Sequence, residues 1–293
     1  QQEEGGGKTH GKSPLRAGAG VANSMAWIGL MEWPVEWPVE WPVEWNDDAI
    51  VLSTRAHGET GAILDLLTRD HGRHAGLVRG GASRRVKPAL QPGNTVHVQW
   101  RARLEEHLGG FTCELARARA GELMDSRQAL AGLNAFTAVT TAAMPERQAH
   151  APVFLGGEIL LDAMMADDAA HWLPLYVRWE AGLLEALGFG LDLAECAATG
   201  AKNDLAYVSP RTGRAVSRDG AGIYAARLFR LPAFLLDSGA AEPTPDEVAA
   251  GLALTGHFLL ERVLRPHGKE MPPARLRLDA IARPESGGES SKS

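Results

Sequence analysis

The sequence predicts an α+β protein, a small all-β barrel followed by a helical domain. Two observations carry this. Short runs of strand formers, separated by Gly-, Pro- and Asp-containing turns, crowd residues 46–120. After Gly121 the segments lengthen, open on capping residues and close at Pro or Gly, as helices do. The chain has 293 residues, enough for two domains, and its 45% hydrophobic content suits a protein that buries real cores.

Residues 1–45 read as a disordered, low-complexity extension. The first 22 are rich in Gly, Lys and polar residues and show no periodicity. A Glu-Trp-Pro-Val array follows at Glu32, Glu36 and Glu40, and Glu44-Trp45 begins a fourth copy. Proline at every fourth position excludes a helix or a central strand and favours an extended, polyproline-like state. The array is expected to be a tandem duplication near the true start, with Met31 or Met25 as initiator, rather than an aromatic binding arm. Gly6-Gly7-Lys8-Thr9-His10-Gly11-Lys12-Ser13 matches a phosphate-loop pattern, but no strand feeds it and Pro14 follows it. Without the strand and helix that aim its backbone N–H groups, the match is not expected to bind nucleotide.

The strands come next. Residues 49–53 and 62–68 are apolar runs, and Arg69-Asp70-His71-Gly72 is a turn. Residues 74–78 form a third strand. In residues 95–101, Val96, Val98 and Trp100 alternate with His97, Gln99 and Arg101, which makes Trp100 a core residue rather than a base-stacking platform. Residues 111–116 are a fifth strand, with Cys113 as a small buried residue. Five short strands in so little chain predict a closed barrel of the oligonucleotide-binding (OB) type over 46–120.

The helical domain spans 121–283. Ser126 caps a helix that Pro145 stops. Residues 152–165 are a second helix, and 172–187 a third that ends at Gly188. Thr244-Pro245-Asp246-Glu247 is a strong N-terminus for a helix reaching Arg265, with Val248, Leu252, Leu259 and Val263 as its buried stripe. Residues 196–224 are a Gly-rich insert with strand potential at Ala206-Tyr207-Val208. Residues 284–293 read as a disordered tail.

Charge distribution is the strongest functional signal. The chain carries a formal net charge of -6, yet between Arg69 and Arg103 the only acid is Asp70. The same window holds Arg69, Arg73, Arg79, Arg84, Arg85, Lys87, Arg101 and Arg103. Phosphate is the commonest partner for such a field. Arg79, Arg84, Arg85 and Lys87 sit on a loop between strands, where Gly80 and Gly81 permit close approach to a phosphate. Arg55, Arg69, Arg73, Arg101 and Arg103 are expected to extend that track. Arg55 and Arg69 have an alternative, pairing with Glu59, Asp65 or Asp70.

Several motifs resemble the RecO family of bacterial DNA repair proteins, in an alphaproteobacterial form. They include Arg55-Ala56-His57-Gly58-Glu59-Thr60, Leu64-Asp65-Leu66-Leu67-Thr68-Arg69-Asp70-His71-Gly72, Val78-Arg79-Gly80-Gly81 and Gly188-Phe189-Gly190-Leu191-Asp192-Leu193. Cys196-Ala197-Ala198-Thr199-Gly200 and Tyr207-Val208-Ser209-Pro210 continue the series in order. The resemblance implies an OB-fold barrel and a helical domain carrying a zinc-ribbon-like insert. It also implies binding of single- and double-stranded DNA, strand annealing, and action with RecR, and often RecF, to load RecA onto DNA coated by single-strand-binding protein (SSB). The family's helical domain accepts the SSB C-terminal tail, for which Arg178, Arg227 and Arg262 are candidate cations. Relatives carry two C-x-x-C pairs in the insert. Here only Cys196 remains, and the second pair falls near Ser217 and Gly220, so the insert is expected to be degenerate and free of zinc, with no cofactor.

No nucleophile, metal or triad motif accompanies the histidines, so no enzyme is expected. A protein-interaction scaffold whose cations bind acidic partners is the main alternative, and a nucleotide-binding protein using residues 6–13 the weaker one. No apolar run approaches the ~20 residues of a membrane span. Residues 26–31 are too short for a signal-peptide core. Two cysteines fit a reducing compartment, and a cytoplasmic, nucleoid-associated protein is expected.

Overall fold

The computed structural model of the chain describes residues 43–166, 168–236 and 242–282. The extension up to residue 42, with the phosphate-loop match at 6–13, and the tail at 284–293 lie outside the described residues.

Five strands close into a barrel in the order β1-β2-β3-β5-β4. They are β1 Val43–His57, β2 Gly61–Thr68, β3 Arg73–Val78, β4 Thr95–Ala102 and β5 Gly110–Arg117. β1 is long enough to serve two neighbours. Its first half pairs with β4 and its second half with β2, and a register shift between Val51 and Ser53 turns the corner. The barrel closes where β3 meets β5 in parallel at Leu77 and Gly110. Its interior is filled by Ala49, Val51, Leu64, Leu66, Val96, Val98 and Trp100, all buried. Trp100 is fully enclosed, as its alternation with Val96 and Val98 predicts.

One boundary moves. β1 starts at Val43, inside the repeat array and ahead of the expected start at 46. Past Pro42 the backbone has the N–H groups a ladder requires. Trp45 pairs in register with Trp100 and stacks on it at 5.5 Å, and the His71 ring lies 4.1 Å from Trp45 on its other contact. Packing recruits the last turn of the array into the barrel.

The helical domain contains α1 Ala120–Asp125, α2 Arg127–Ala143, α3 Ala151–Ala166, α4 Ala169–Ala186, α5 Arg218–Ala221, α6 Pro245–Phe258 and α7 Pro273–Ala282. Ser126 caps α2 by accepting from the Ala129 N–H at 3.2 Å. α4 starts three residues ahead of the expected Trp172, because Asp168 caps it through the Ala170 N–H at 2.9 Å. Thr244 and Glu247 form the reciprocal capping box of α6. The expected helix to Arg265 is not α-helical throughout. It widens to a π-helix at Leu259–Leu264 and tightens to a 3₁₀ turn at Arg265–His267, ended by left-handed Gly268. Its stripe of Val248, Leu252, Leu259 and Val263 is buried as expected. α7 is held by an enclosed ion pair, with Arg275 Nε 2.5 Å from Glu180 Oε1 and Thr255 donating to the same carboxylate at 2.5 Å.

The insert forms a small sheet in the order β7-β6-β8, with β6 Leu205–Val208, β7 Ala215–Ser217 and β8 Phe229–Arg230. Barrel and helices share one core. Ile50, Leu52 and Leu67 pack with Leu133, Phe136 and Leu161 in a single apolar cluster. Arg119, fully buried at the junction, donates to Glu158 at 3.0 Å, Asp162 at 2.7 Å and Thr95 at 2.6 Å. Among the described residues no helix is long and apolar enough to cross a membrane.

Candidate nucleic-acid interface

The basic segment is the connection between β3 and β4. Gly80, at φ 68°, makes the first turn, and a side chain at Gly81 would lie 2.8 Å from the Ala62 Cβ. Successive turns follow, including Lys87 N–H to Ser83 carbonyl at 2.9 Å. Two anchors hold the far end. Leu90 is buried in the barrel core and its carbonyl accepts from Thr54, while Asn94 donates to the Pro88 carbonyl at 2.9 Å. The apolar and amide anchors face inward, so Arg79, Arg84, Arg85 and Lys87 are left exposed. Among the described residues no ion pair engages any of these four.

Beside this loop lies a groove of about 580 Å³, at the seam where β3 meets β5. Leu77, Val78, Val86, Phe111 and Cys113 line it, and Arg79 and Arg101 supply its cations. Cys113 is therefore half-buried in a groove wall rather than a core residue, and burial pushes its thiol up to about 12. Arg101 is paired with Glu44 at 2.7 Å, in the open. Such exposed pairs contribute at most ~1 kcal/mol, so a phosphate can displace the carboxylate. Arg103 is exposed on the loop that follows β4, and Arg55 is exposed near the end of β1.

The expected track across the barrel is interrupted at two positions. Arg73 is committed elsewhere, with its Nε 3.1 Å from both Asp65 oxygens and further bonds to the Met144 carbonyl and Glu146. Only 15% of its side chain is exposed, so it is a clamp between barrel and helices. Arg69 lies 3.9 Å from Asp70 and lines a separate recess with Asp47, Asp48, Asp70 and Glu114. That acidic setting is wrong for phosphate. Cations adjacent in sequence are thus divided, by strand direction, between two faces.

Beneath the groove floor is an aromatic cluster. His74 lies edge-on to Trp45 at 5.1 Å, Trp100 at 4.9 Å and Phe111 at 6.1 Å. Neither of its ring nitrogens has a hydrogen-bond partner among the described residues. Burial, with the charge of Arg147, pulls its pKa down to about 4.

In the helical domain, α3 and α4 enclose an apolar groove of about 210 Å³ lined by Pro152, Val153, Ile159, Leu160, Leu175 and Trp179. Gly156 and Gly182 keep it open, since a side chain at 156 would press on Trp179 at 3.3 Å. Arg178 lines the same groove and donates to the Phe234 carbonyl at 2.8 and 3.0 Å. The other two candidate cations do not line it. Arg227 is exposed on the insert, and Arg262 donates to the Arg211 carbonyl.

The insert brings together Cys196, Thr199, Ser217 and Gly220, the positions where the family resemblance implies thiolates. Cys196 Sγ accepts from Ser217 N–H at 3.1 Å and Ser217 Oγ at 3.3 Å. Thr199 Oγ1 lies 3.4 Å from Ser217 Oγ, and a Cβ on Gly220 would sit 2.8 Å from the sulfur. The donors gathered there are one thiol, two hydroxyls and a glycine. That set does not fit tetrahedral zinc. Burial opposes ionisation of Cys196, but the Ser217 bonds outweigh it and bring the thiol down to about 6. Among the described residues no group of three or more His, Cys, Asp or Glu side chains could hold a metal.

Comparison with known proteins fits these two parts. Residues 43–119 match the family described as recombination protein O N terminal, and residues 124–271 match recombination protein O C terminal. The chain belongs to the RecO family. The first match begins where β1 begins. A DNA repair protein RecO of Cereibacter sphaeroides strain KD131 is 52% identical over 234 residues, covering 79% of this chain and 95% of its own. Those of Phenylobacterium zucineum and Caulobacter vibrioides NA1000 are each 52% identical, over 230 and 239 residues. They cover 78% and 80% of this chain, and 93% and 96% of their own lengths.

The buried residues Arg119, His74 and Arg275 escape sequence reasoning. Nothing local marks an arginine as buried. The nearest signal is Glu158 with Asp162, two acids one helical turn apart on an otherwise apolar segment.

Proposed function

We propose that this chain is a DNA repair and recombination mediator that acts without covalent chemistry. It binds single- and double-stranded DNA through the basic β3–β4 loop and the adjoining barrel groove, anneals complementary strands, and with RecR helps load RecA onto SSB-coated DNA. The carrying observation is the set of exposed cations Arg79, Arg84, Arg85 and Lys87 beside that groove, free of carboxylate partners among the described residues. Arginine forks phosphate oxygens bidentately, and phosphate contacts release counterions without reading sequence. Neutralising two strands together lowers their repulsion, which is the physical basis of annealing.

The names of the relatives support the repair role, and family membership supports RecR, RecF and the SSB tail as partners. The α3–α4 groove has the chemistry a hydrophobic, acid-ended SSB tail requires, an apolar trough with Arg178 as its cation. Metal takes no part in this reading, and the protein works in the cytoplasm at the nucleoid.

The test is binding of a fluorescent single-stranded oligonucleotide across a salt series, comparing the parent with Arg84→Ala/Arg85→Ala/Lys87→Ala. Each lost phosphate contact should flatten the log-log salt slope by about 0.7, so the variant should bind more weakly and with a shallower slope. Equal binding moves DNA off this loop. No binding by either protein favours the scaffold reading.

A further inference from the structure

We infer that Arg147, contributed by the helical domain, is a positioning residue for nucleic acid because it holds the barrel's β4–β5 loop in shape. The inference rests on the proposed DNA groove. In OB folds the β4–β5 loop is one of the segments that embrace an oligonucleotide, so its shape matters to affinity.

Here that loop, residues 103–109, is held through its carbonyls. The Arg147 guanidinium donates to the Glu105 carbonyl, to that of Glu106 at 3.3 Å and to that of His107 at 2.9 Å. The Trp100 indole takes the next carbonyl, Leu108, at 3.1 Å, and the Leu77 N–H takes that of Gly109 at 3.1 Å. Five successive carbonyls are therefore captured by groups outside the loop. Gly109, Gly110 and Phe111 then run directly into the groove wall, so loop position sets groove shape.

Arg147 is itself held. It adopts φ 61°, uncommon for a residue with a side chain. Its N–H donates to the Arg73 carbonyl at 2.8 Å. On its other side, Gly72 abuts Gln148 so closely that a Cβ would lie 2.0 Å from the Gln148 carbonyl oxygen. The connection between α2 and α3 is thus fixed against β3, and Arg147 reaches the loop from that base. The loop also carries Glu105 and Glu106. Released, these carboxylates are free to approach the groove and oppose phosphate.

The test uses full-length Arg147→Ala and Arg147→Lys beside the parent and the triple loop variant, with oligonucleotide titrations over salt and amide hydrogen exchange. Lysine keeps the charge but cannot span three carbonyls, so both Arg147 variants should weaken binding about three- to tenfold. Their salt slopes should match the parent's, and exchange should quicken across 103–109 while the barrel strands stay protected. Parent-like affinity in both variants would overturn the inference, as would a lysine variant that restores affinity beside an alanine variant with a flattened slope, since Arg147 would then be a phosphate contact. A triple variant that binds like the parent would remove the groove reading and this inference with it. An Arg147 result that fails alone leaves the groove standing.

Discussion

At the scale of single residues, His74 shows how context inverts a side chain's ordinary chemistry. It packs among Trp45, Trp100 and Phe111 with both nitrogens unpartnered among the described residues. Burial, then the charges of Arg147 and His71, holds its pKa at about 4, below the ordinary 6.5 of an imidazole. Between those values the unfolded chain binds the proton and the folded chain does not, so stability falls as pH falls. The contribution is complete above pH 6.5 and is lost by about pH 4, for a total of roughly 3 kcal/mol. Urea unfolding of the parent and of His74→Phe at pH 7 and pH 4.5 checks this. The variant should lose about 2 kcal/mol less between the two pH values, and an equal loss in both would exclude His74 as the source. The sequence placed His74 in the third strand but did not show its burial. Its lack of partners was not legible either, because that depends on Trp45 arriving from a segment the sequence marks as non-structural.

At the scale of elements, the insert is the instructive case. The family resemblance points to Cys196, Thr199, Ser217 and Gly220 as the knuckle positions, and the fold brings them within hydrogen-bond reach. Ser217 is the hub. Its Oγ donates to the sulfur, approaches Thr199, and accepts from the Gly220 N–H at 3.1 Å. Hydrogen bonds to Ser217 tie these positions together without a metal in the arrangement. Excess chelator should therefore leave the thermal midpoint unchanged, whereas Ser217→Ala should cost about 1–2 kcal/mol by stranding buried partners. A midpoint that falls with chelator would show that metal is bound after all. The barrel strands and the longer helices were readable, since caps and alternation are local, whereas α7 at Pro273–Ala282 and the strands β7 and β8 carried no such signal. The π-helical widening after Phe258 and the early start of β1 were not readable either, because each depends on packing.

At the scale of the whole molecule, barrel and helical domain form one body through buried charge as well as apolar contact. Arg119 leaves the barrel with its guanidinium fully enclosed between Glu158, Asp162 and Thr95. Removing Arg119 leaves Glu158 without its cation, while Asp162 keeps Arg117 at 2.6 Å. Arg119→Ala should lose about 3 kcal/mol in urea unfolding followed by far-UV circular dichroism. A loss below about 1 kcal/mol would mean that the apolar cluster alone holds the junction. Rigidity here has a functional side, because the α2–α3 connection that clamps the β4–β5 loop is part of the same junction.

What the sequence determined by itself is the order of the barrel strands and longer helices, the barrel's inward stripe and the exposed basic loop. These follow from periodicities of two and 3.6 residues and from the absence of nearby acids, all of which are local. What only the tertiary structure decided is which cations share a face. Arg73 and Arg69, adjacent in the chain to the basic loop, are taken by Asp65 and by the acidic recess. Charge partners are set by distance in space, and a closed barrel brings together residues that the linear sequence keeps dozens of positions apart.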